Sequence, residues 1–181
     1  MTQVRDTNDS ALFKDTGEND QDRLQPRHHR PVGAHIAAPP PVIYLISLAI
    51  GLLVHWLYPV QVLPTPFAIG IGLLLIAAAG PIVISALRAF SRAKTTFGFR
   101  KPASAIVTNG PYRFSRNPSY VSLTLLFGGI ALMVNSLWML LMVVPAVTVI
   151  HFGVIKREER YLEAKFGDEY REYKTAVRRW V

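Results

Sequence analysis

Residues 120–155 read YVSLTLLFGGIALMVNSLWMLLMVVPAVTVIHFGVI, without one Asp, Glu, Lys or Arg. An uncharged apolar run of that length is the signature of a membrane segment rather than of a globular core. Asn135-Ser136 alone interrupts it. The run therefore divides into two spans, about Tyr120–Val134 and Ser136–Ile155, joined as a tight antiparallel hairpin. A full crossing takes about 20 residues. The first span falls short of that, so it either borrows length from Asn117–Ser119 or the hairpin sits shallowly. Pro145 is placed to bend the second.

Polar motifs bracket the hairpin on both sides. Before it stands Gly110-Pro-Tyr-Arg-Phe-Ser-Arg-Asn-Pro-Ser-Tyr120. After it stands Glu158-Glu-Arg-Tyr-Leu-Glu-Ala-Lys-Phe-Gly-Asp-Glu-Tyr-Arg-Glu-Tyr173. A hairpin returns the chain to the side it left, so both motifs emerge at one membrane face. After Ile155 charged and apolar residues alternate near helical spacing through Tyr161, Leu162, Phe166, Tyr170 and Tyr173. Gly167 interrupts the pattern, which predicts two short helices or a kinked one.

Two further spans precede these. The first runs from about Val42 to Leu57 behind Pro39-Pro40-Pro41, where prolines suit a helix entrance. Its exit, His55-Trp56-Leu57-Tyr58, has the aromatic character of a membrane interface. The second, Phe67–Phe90, is long enough to cross with some tilt. Pro81 predicts a kink in it, and Gly70, Gly72 and Gly80 allow close helix packing. Whether that packing lies within one chain or between two is open at this level.

The charges settle a topology. Net charge is +8, and the 20 cations fall into three blocks, residues 1–30, 88–116 and 156–179. The two short hairpin turns carry none. Four spans place all three blocks on one side, and the positive-inside rule makes that side cytoplasmic. Cations flanking apolar spans answer to anionic lipid headgroups, so no nucleic-acid partner is expected. The expected fold class is all-α, a polytopic membrane helix bundle of about four transmembrane helices with cytoplasmic C-terminal helices. Residues 1–38 are too polar to bury a core and are expected to be a disordered tail; they hold no apolar core of signal-peptide length. Residues 39–181 form the membrane-embedded domain.

Candidate chemistry lies in the two motifs. Gly110-Pro111 sets a turn, and Asn117-Pro118 sets a second immediately before the span. Together they fix Tyr112, Arg116, Asn117 and Tyr120 around a helix entrance. Freed amides there, with Arg116, would suit a ligand carboxylate. Glu158 and Glu159 sit across the hairpin, and adjacent helical residues point apart, so at most one is expected to face inward. A carboxylate there would accept hydrogen bonds from ribose hydroxyls or stabilise a sulfonium. The chain has no cysteine, which excludes thiolate metal sites and a catalytic thiol. No metal-ligand spacing is evident. His151 is the one histidine inside a span, read as a satisfied polar residue rather than a ligand.

These residues resemble the isoprenylcysteine carboxyl methyltransferase and phospholipid methyltransferase superfamily. The resemblance rests on Gly110-Pro111-Tyr112, Arg116-Asn117-Pro118-Ser119-Tyr120, Glu158-Glu159 with Leu162, Phe166-Gly167-Asp168-Glu169-Tyr170-Arg171-Glu172-Tyr173, and Arg178-Arg179. It covers about residue 95 to the end, and its specificity lies in the order and spacing of short pieces. It implies an integral membrane enzyme, in a bacterial inner membrane with both termini cytoplasmic. The implied cofactor is S-adenosylmethionine, and the implied substrate a lipid or small hydrophobic molecule arriving from the bilayer. The implied cofactor residues are Tyr112, Arg116, Asn117, Pro118, Tyr120, Glu158 and Glu159, in a cofactor half spanning about residues 95–181. The implied catalytic residues are Glu159 and Arg179, with Arg179 a better match to the late family arginine than Arg178. One departure matters: the eukaryotic carboxyl methyltransferases carry His where this chain has Asn117. Asn keeps a hydrogen bond but cannot become cationic near neutral pH, which puts the isoprenylcysteine substrate in question.

Two other classes stay open from sequence. A small membrane scaffold would carry the same spans and basic blocks but has no need of the matched motif order. A membrane reductase of related architecture would bind a nicotinamide and usually has many more spans.

Overall fold

A computed structural model describes residues 39–92 and 105–181. The expected tail, residues 1–38, lies outside the described residues, as do Lys94, Arg100 and Lys101 of the central loop. The described chain is helical throughout its regular structure. Helix α1 (Pro40–Leu57) opens on prolines whose missing N–H groups would have no intrahelical acceptor there. Helix α2 (Thr65–Arg92) runs through Pro81. A 3₁₀ turn (Gly110–Arg113) leads to α3 (Pro118–Met133). Helix α4 (Leu137–Val149) passes without a break through a π-helical segment (Ile150–Ile155) into α5 (Lys156–Phe166). Gly167, at φ 57°, turns the chain into α6 (Asp168–Ala176), giving the two short helices expected from its place in the pattern.

Three helices are long and apolar enough to cross a membrane: α1, α2 over Thr65–Ala89, and the continuous helix Leu137–Phe166. Their outer faces carry exposed Leu45, Ile46, Leu53, Leu73, Leu74, Val144 and Phe152, which in water would be a severe liability and in lipid are ordinary. Helix α3 is shorter but apolar, and it is the enclosed helix of the bundle. Helix α2 covers it most extensively, and α4 and α1 complete the cover. Its short length therefore matches a position inside the protein.

Small residues set the spacing. A Cβ on Gly72 would lie 2.7 Å from the Gly129 carbonyl oxygen, and one on Gly129 would lie 2.8 Å from that of Gly72. The α2 and α3 backbones thus touch, as small residues permit between membrane helices. Gly72 serves packing within the chain, whereas Gly70 and Gly80 face open space. Polar groups between helices are paired: Ser122 Oγ donates to the Ala79 carbonyl at 2.9 Å, and Tyr44 and Thr124 hydroxyls lie 2.6 Å apart.

The two uncharged turns share one end of the bundle. Asn135 takes the left-handed conformation at φ 55°. Its Oδ1 accepts from the Val62 and Leu63 amides at 3.0 and 3.2 Å, and its Nδ2 donates to the Leu63 carbonyl at 2.7 Å. Trp138 Nε1 adds a bond to the Tyr58 carbonyl at 2.6 Å. One side chain thus staples the α1–α2 turn to the α3–α4 turn. The 3₁₀ turn and the start of α3 lie with α5, α6 and the C-terminal residues at the other end.

Candidate functional site

At that charged end the last residues, 177–181, form an extended strap held between the loop before α3 and the continuous fourth helix. Val177 is in the β region, which ends α6 and straightens the chain. The Arg116 amide donates to the Arg178 carbonyl at 2.9 Å. The Arg179 carbonyl accepts from Asn117 Nδ2 at 2.9 Å and from Ser115 Oγ at 3.4 Å. Trp180 Nε1 donates to His151 Nδ1 at 3.3 Å. Loop, strap and helix are thereby tied residue by residue.

The centre of this arrangement is Glu159, buried at 6% exposure. Arg179 grips it with two parallel bonds, Nε to Oε1 at 2.8 Å and Nη2 to Oε2 at 2.6 Å. This is the bidentate fork that makes arginine strong against carboxylates. Arg116 approaches from the other side, its Nη1 at 3.1 Å from Oε1. That contact is an ion pair lacking hydrogen-bond alignment, and Arg116 Nε is buried with no acceptor among the described residues. A buried guanidinium N–H without a partner costs free energy unless something else supplies an oxygen. Glu159 holds the Arg179 side chain even more firmly protonated than usual.

Glu158 meets different surroundings. Tyr120 Oη donates to its two carboxylate oxygens, both at 3.0 Å. The expectation that only one of the glutamates faces inward needs correction. The two do point apart, but protein lies on both sides: the first turn of α3 meets Glu158 and the strap meets Glu159.

The remaining expected residues also lie at this end. Asn117 precedes α3, and Pro118 is buried at its first position. The Asn117 side chain caps no helix amide; it is spent on the strap. The amides just ahead of α3 are engaged, that of Arg116 by the Arg178 carbonyl and that of Asn117 by Ser115 Oγ at 3.1 Å, and in its first turn the Tyr120 amide donates to the Asn117 carbonyl at 3.0 Å. Tyr112 is buried with Glu158 as its charged neighbour, and burial pushes its phenol up to about 12. It is therefore a permanent donor at physiological pH. Arg178 is exposed and contributes its carbonyl, whereas Arg179 contributes its guanidinium.

Sequence reasoning did not place Tyr170, Ser115, Trp180 or His151 here. Tyr170, 2% exposed, has Glu159 and Arg116 as charged neighbours, and burial pushes it up to about 12. Tyr173 Oη donates to the Tyr112 carbonyl at 2.7 Å, which docks α6 on the 3₁₀ turn. The spacing of Tyr170 and Tyr173 on one face of α6 was the available signal.

Comparison with known proteins adds three findings. The phospholipid methyltransferase family matches residues 67–169, more than half of the chain. A Haemophilus influenzae protein described as uncharacterized is 47% identical over 62 residues, which is 34% of this chain and 98% of that protein. No solved structure gives a significant match.

Proposed function

This chain belongs to the phospholipid methyltransferase family, a methyltransferase-type family of integral membrane proteins, and from that premise we propose that it transfers methyl groups from S-adenosylmethionine to a lipid-borne acceptor at the cytoplasmic membrane face. Residues 39–181 are the membrane-embedded methyltransferase domain of this reading, in a bacterial inner membrane with both termini cytoplasmic. The observation that carries it is the buried Arg116–Glu159–Arg179 centre. It joins three of the motifs of the resemblance at one point and leaves Arg116 Nε and Nη1 without a hydrogen-bond acceptor among the described residues.

The donor set fits the cofactor. Arg116 Nε would hold its carboxylate. Glu159, which accepts two hydrogen bonds from Arg179 and ion-pairs with Arg116, would still take a ribose hydroxyl. When bound, the sulfonium supplies a methyl group to an in-line nucleophile, a reaction that depends mainly on alignment and on exclusion of water. Asn117 and Ser115 hold the strap against the loop and so position Arg179 on Glu159. Glu158, which accepts from the Tyr120 hydroxyl, stands as the group that takes a proton from an alcohol or amine acceptor. Tyr120 orients that carboxylate.

The test is incorporation of labelled methyl from S-adenosylmethionine into extractable lipid of membranes overproducing the chain. Arg179→Ala and Glu158→Gln are run beside the wild type. Incorporation that falls at least tenfold in both variants supports the reading, on the scale of losing one charged or general-base contact. Equal incorporation by wild type and variants at equal protein levels contradicts it.

A further inference from the structure

On its helix side the strap is tied by two consecutive residues. Arg179 grips Glu159, and Trp180 Nε1 donates to His151 Nδ1 at 3.3 Å. Two residues placed in sequence as His151 and Glu159 are would stand about 80° apart around a plain α-helix, at about 100° per residue. Here the Lys156 amide donates to the His151 carbonyl, a five-residue turn that takes up one extra residue. His151 and Glu159 therefore come to within about 20° of one another, on one face, where neighbouring strap residues meet both. Trp180 also carries the strap into the core. Its body packs against the buried cluster that includes Tyr120, Ile150 and Val154, and its ring lies 14° from parallel with that of His151.

The protonation of His151 follows from its partner. An indole N–H only donates, so Nδ1 accepts with a bare lone pair and the ring proton sits on Nε2. A second proton would turn Nδ1 into a donor facing a donor, and the bond would be lost. Only neutral His151 makes the tie, so its contribution is present above the imidazole pKa and vanishes as pH falls through it. The charged groups that face the ring are Arg179 from the strap, with Lys156 and Glu159 from the helix. The ring is half-buried, so water can deliver the proton. Ser115 and Asn117 hold the Arg179 carbonyl, which fixes the strap on its loop side and leaves the helix side to Trp180.

We propose that His151 is a positioning residue for methyl transfer: its neutral imidazole holds Trp180, Trp180 holds the strap, and the strap keeps Arg179 on Glu159. Acidification that protonates His151 unlatches the strap and loosens the centre. The meaning for catalysis rests on the methyl-transfer reading, whereas the latch is a property of the chain alone.

The experiment is calorimetry of S-adenosylmethionine on the full chain in detergent, from about pH 8 down to about pH 5.5, across the ordinary histidine range. Trp180→Phe removes the donor and His151→Phe the acceptor, so each should weaken binding about tenfold at the upper pH, the scale of about one hydrogen bond. His151→Gln keeps an acceptor that does not titrate, and should stay within about threefold of wild type there. At the lower pH the wild type should bind about tenfold more weakly than His151→Gln. Titration of the cofactor and of Glu158 is common to both and cancels in that ratio. Wild-type affinity in Trp180→Phe overturns the proposal, as does a His151→Gln profile that tracks the wild type across the range. So does an acid fall in Trp180→Phe as large as that of the wild type, which would make the charge on His151 act without the latch. Should His151→Phe not fold, Trp180→Phe and His151→Gln decide. Hydrogen exchange without cofactor separates the two readings. The Arg116 amide, bonded to the Arg178 carbonyl, should lose protection in Trp180→Phe and in acidified wild type, but not in His151→Gln at the same pH. That loss with no cofactor binding by any form rejects methyl transfer alone, and unchanged protection rejects the latch whatever the cofactor does.

Discussion

Glu158 and Glu159 are neighbours in sequence with opposite surroundings, and the residue scale is where the chemistry divides. Glu159 is an anion between two cations, two of the three groups being nearly sealed from solvent. Removing one partner of such a buried set leaves uncompensated charge and costs about 3–5 kcal/mol. Glu159→Gln should therefore lower thermal stability in detergent clearly more than Glu158→Gln, which keeps an acceptor for Tyr120 and costs about 1 kcal/mol. Equal melting shifts would contradict that division. Arg179→Lys should behave like a loss rather than a conservative change, because lysine cannot form the two-pronged bond. The residues of this centre were legible as motifs, Arg116 and Glu159 among them. Which late arginine faces inward was left to the family match, since an extended strap with no partner strand gives no period from which to read direction. Tyr170 was visible as half of an i,i+3 pair, but its proximity to Arg116 depends on how α6 folds back at Gly167.

At the scale of elements, hydropathy and proline placement located the helices to within a few residues, because apolar runs and chain breakers act locally. The π segment was not legible. It differs from α-helix in which carbonyl each amide finds, and Ile150–Ile155 has no residue that demands the change. Its consequence is testable: an i→i+5 turn less one residue is an i→i+4 turn, so deleting Gly153 should restore α-helical register and leave Glu159 directed at Arg116 and Arg179. Cofactor binding should persist in the shortened protein; binding lost from a protein that remains helical by circular dichroism would mean that the π segment itself sets the site. The glycines divide in the same way. Gly129→Leu drives a side chain into the α2 backbone and should destabilise by at least 1–3 kcal/mol, the ordinary scale of overpacking. Gly80→Ala meets open space and should be neutral or slightly stabilising. Sequence could name the glycines but not which of them touch, since contact depends on how the helices cross.

For the whole molecule, uncharged turns at one end and the site at the other follow from two side-by-side hairpins. Charge placement anticipated that arrangement because the positive-inside rule and the span count constrain each other. The chain lacks cysteine, so single-cysteine mapping is direct. Gln61→Cys should react with a membrane-impermeant maleimide only from outside the cell, and Thr175→Cys only in inverted vesicles. Labelling of both from one side would break the four-span topology. The central claim is that the Arg116–Glu159–Arg179 centre binds S-adenosylmethionine. It is tested most directly by calorimetry of the detergent-purified full chain, with Glu159→Gln and Arg116→Ala alongside. The account predicts saturable binding to the wild type and at least a tenfold weaker signal in both variants at temperatures where both remain folded. A folded wild type that binds no S-adenosylmethionine, or variants that bind it with wild-type affinity, would contradict it.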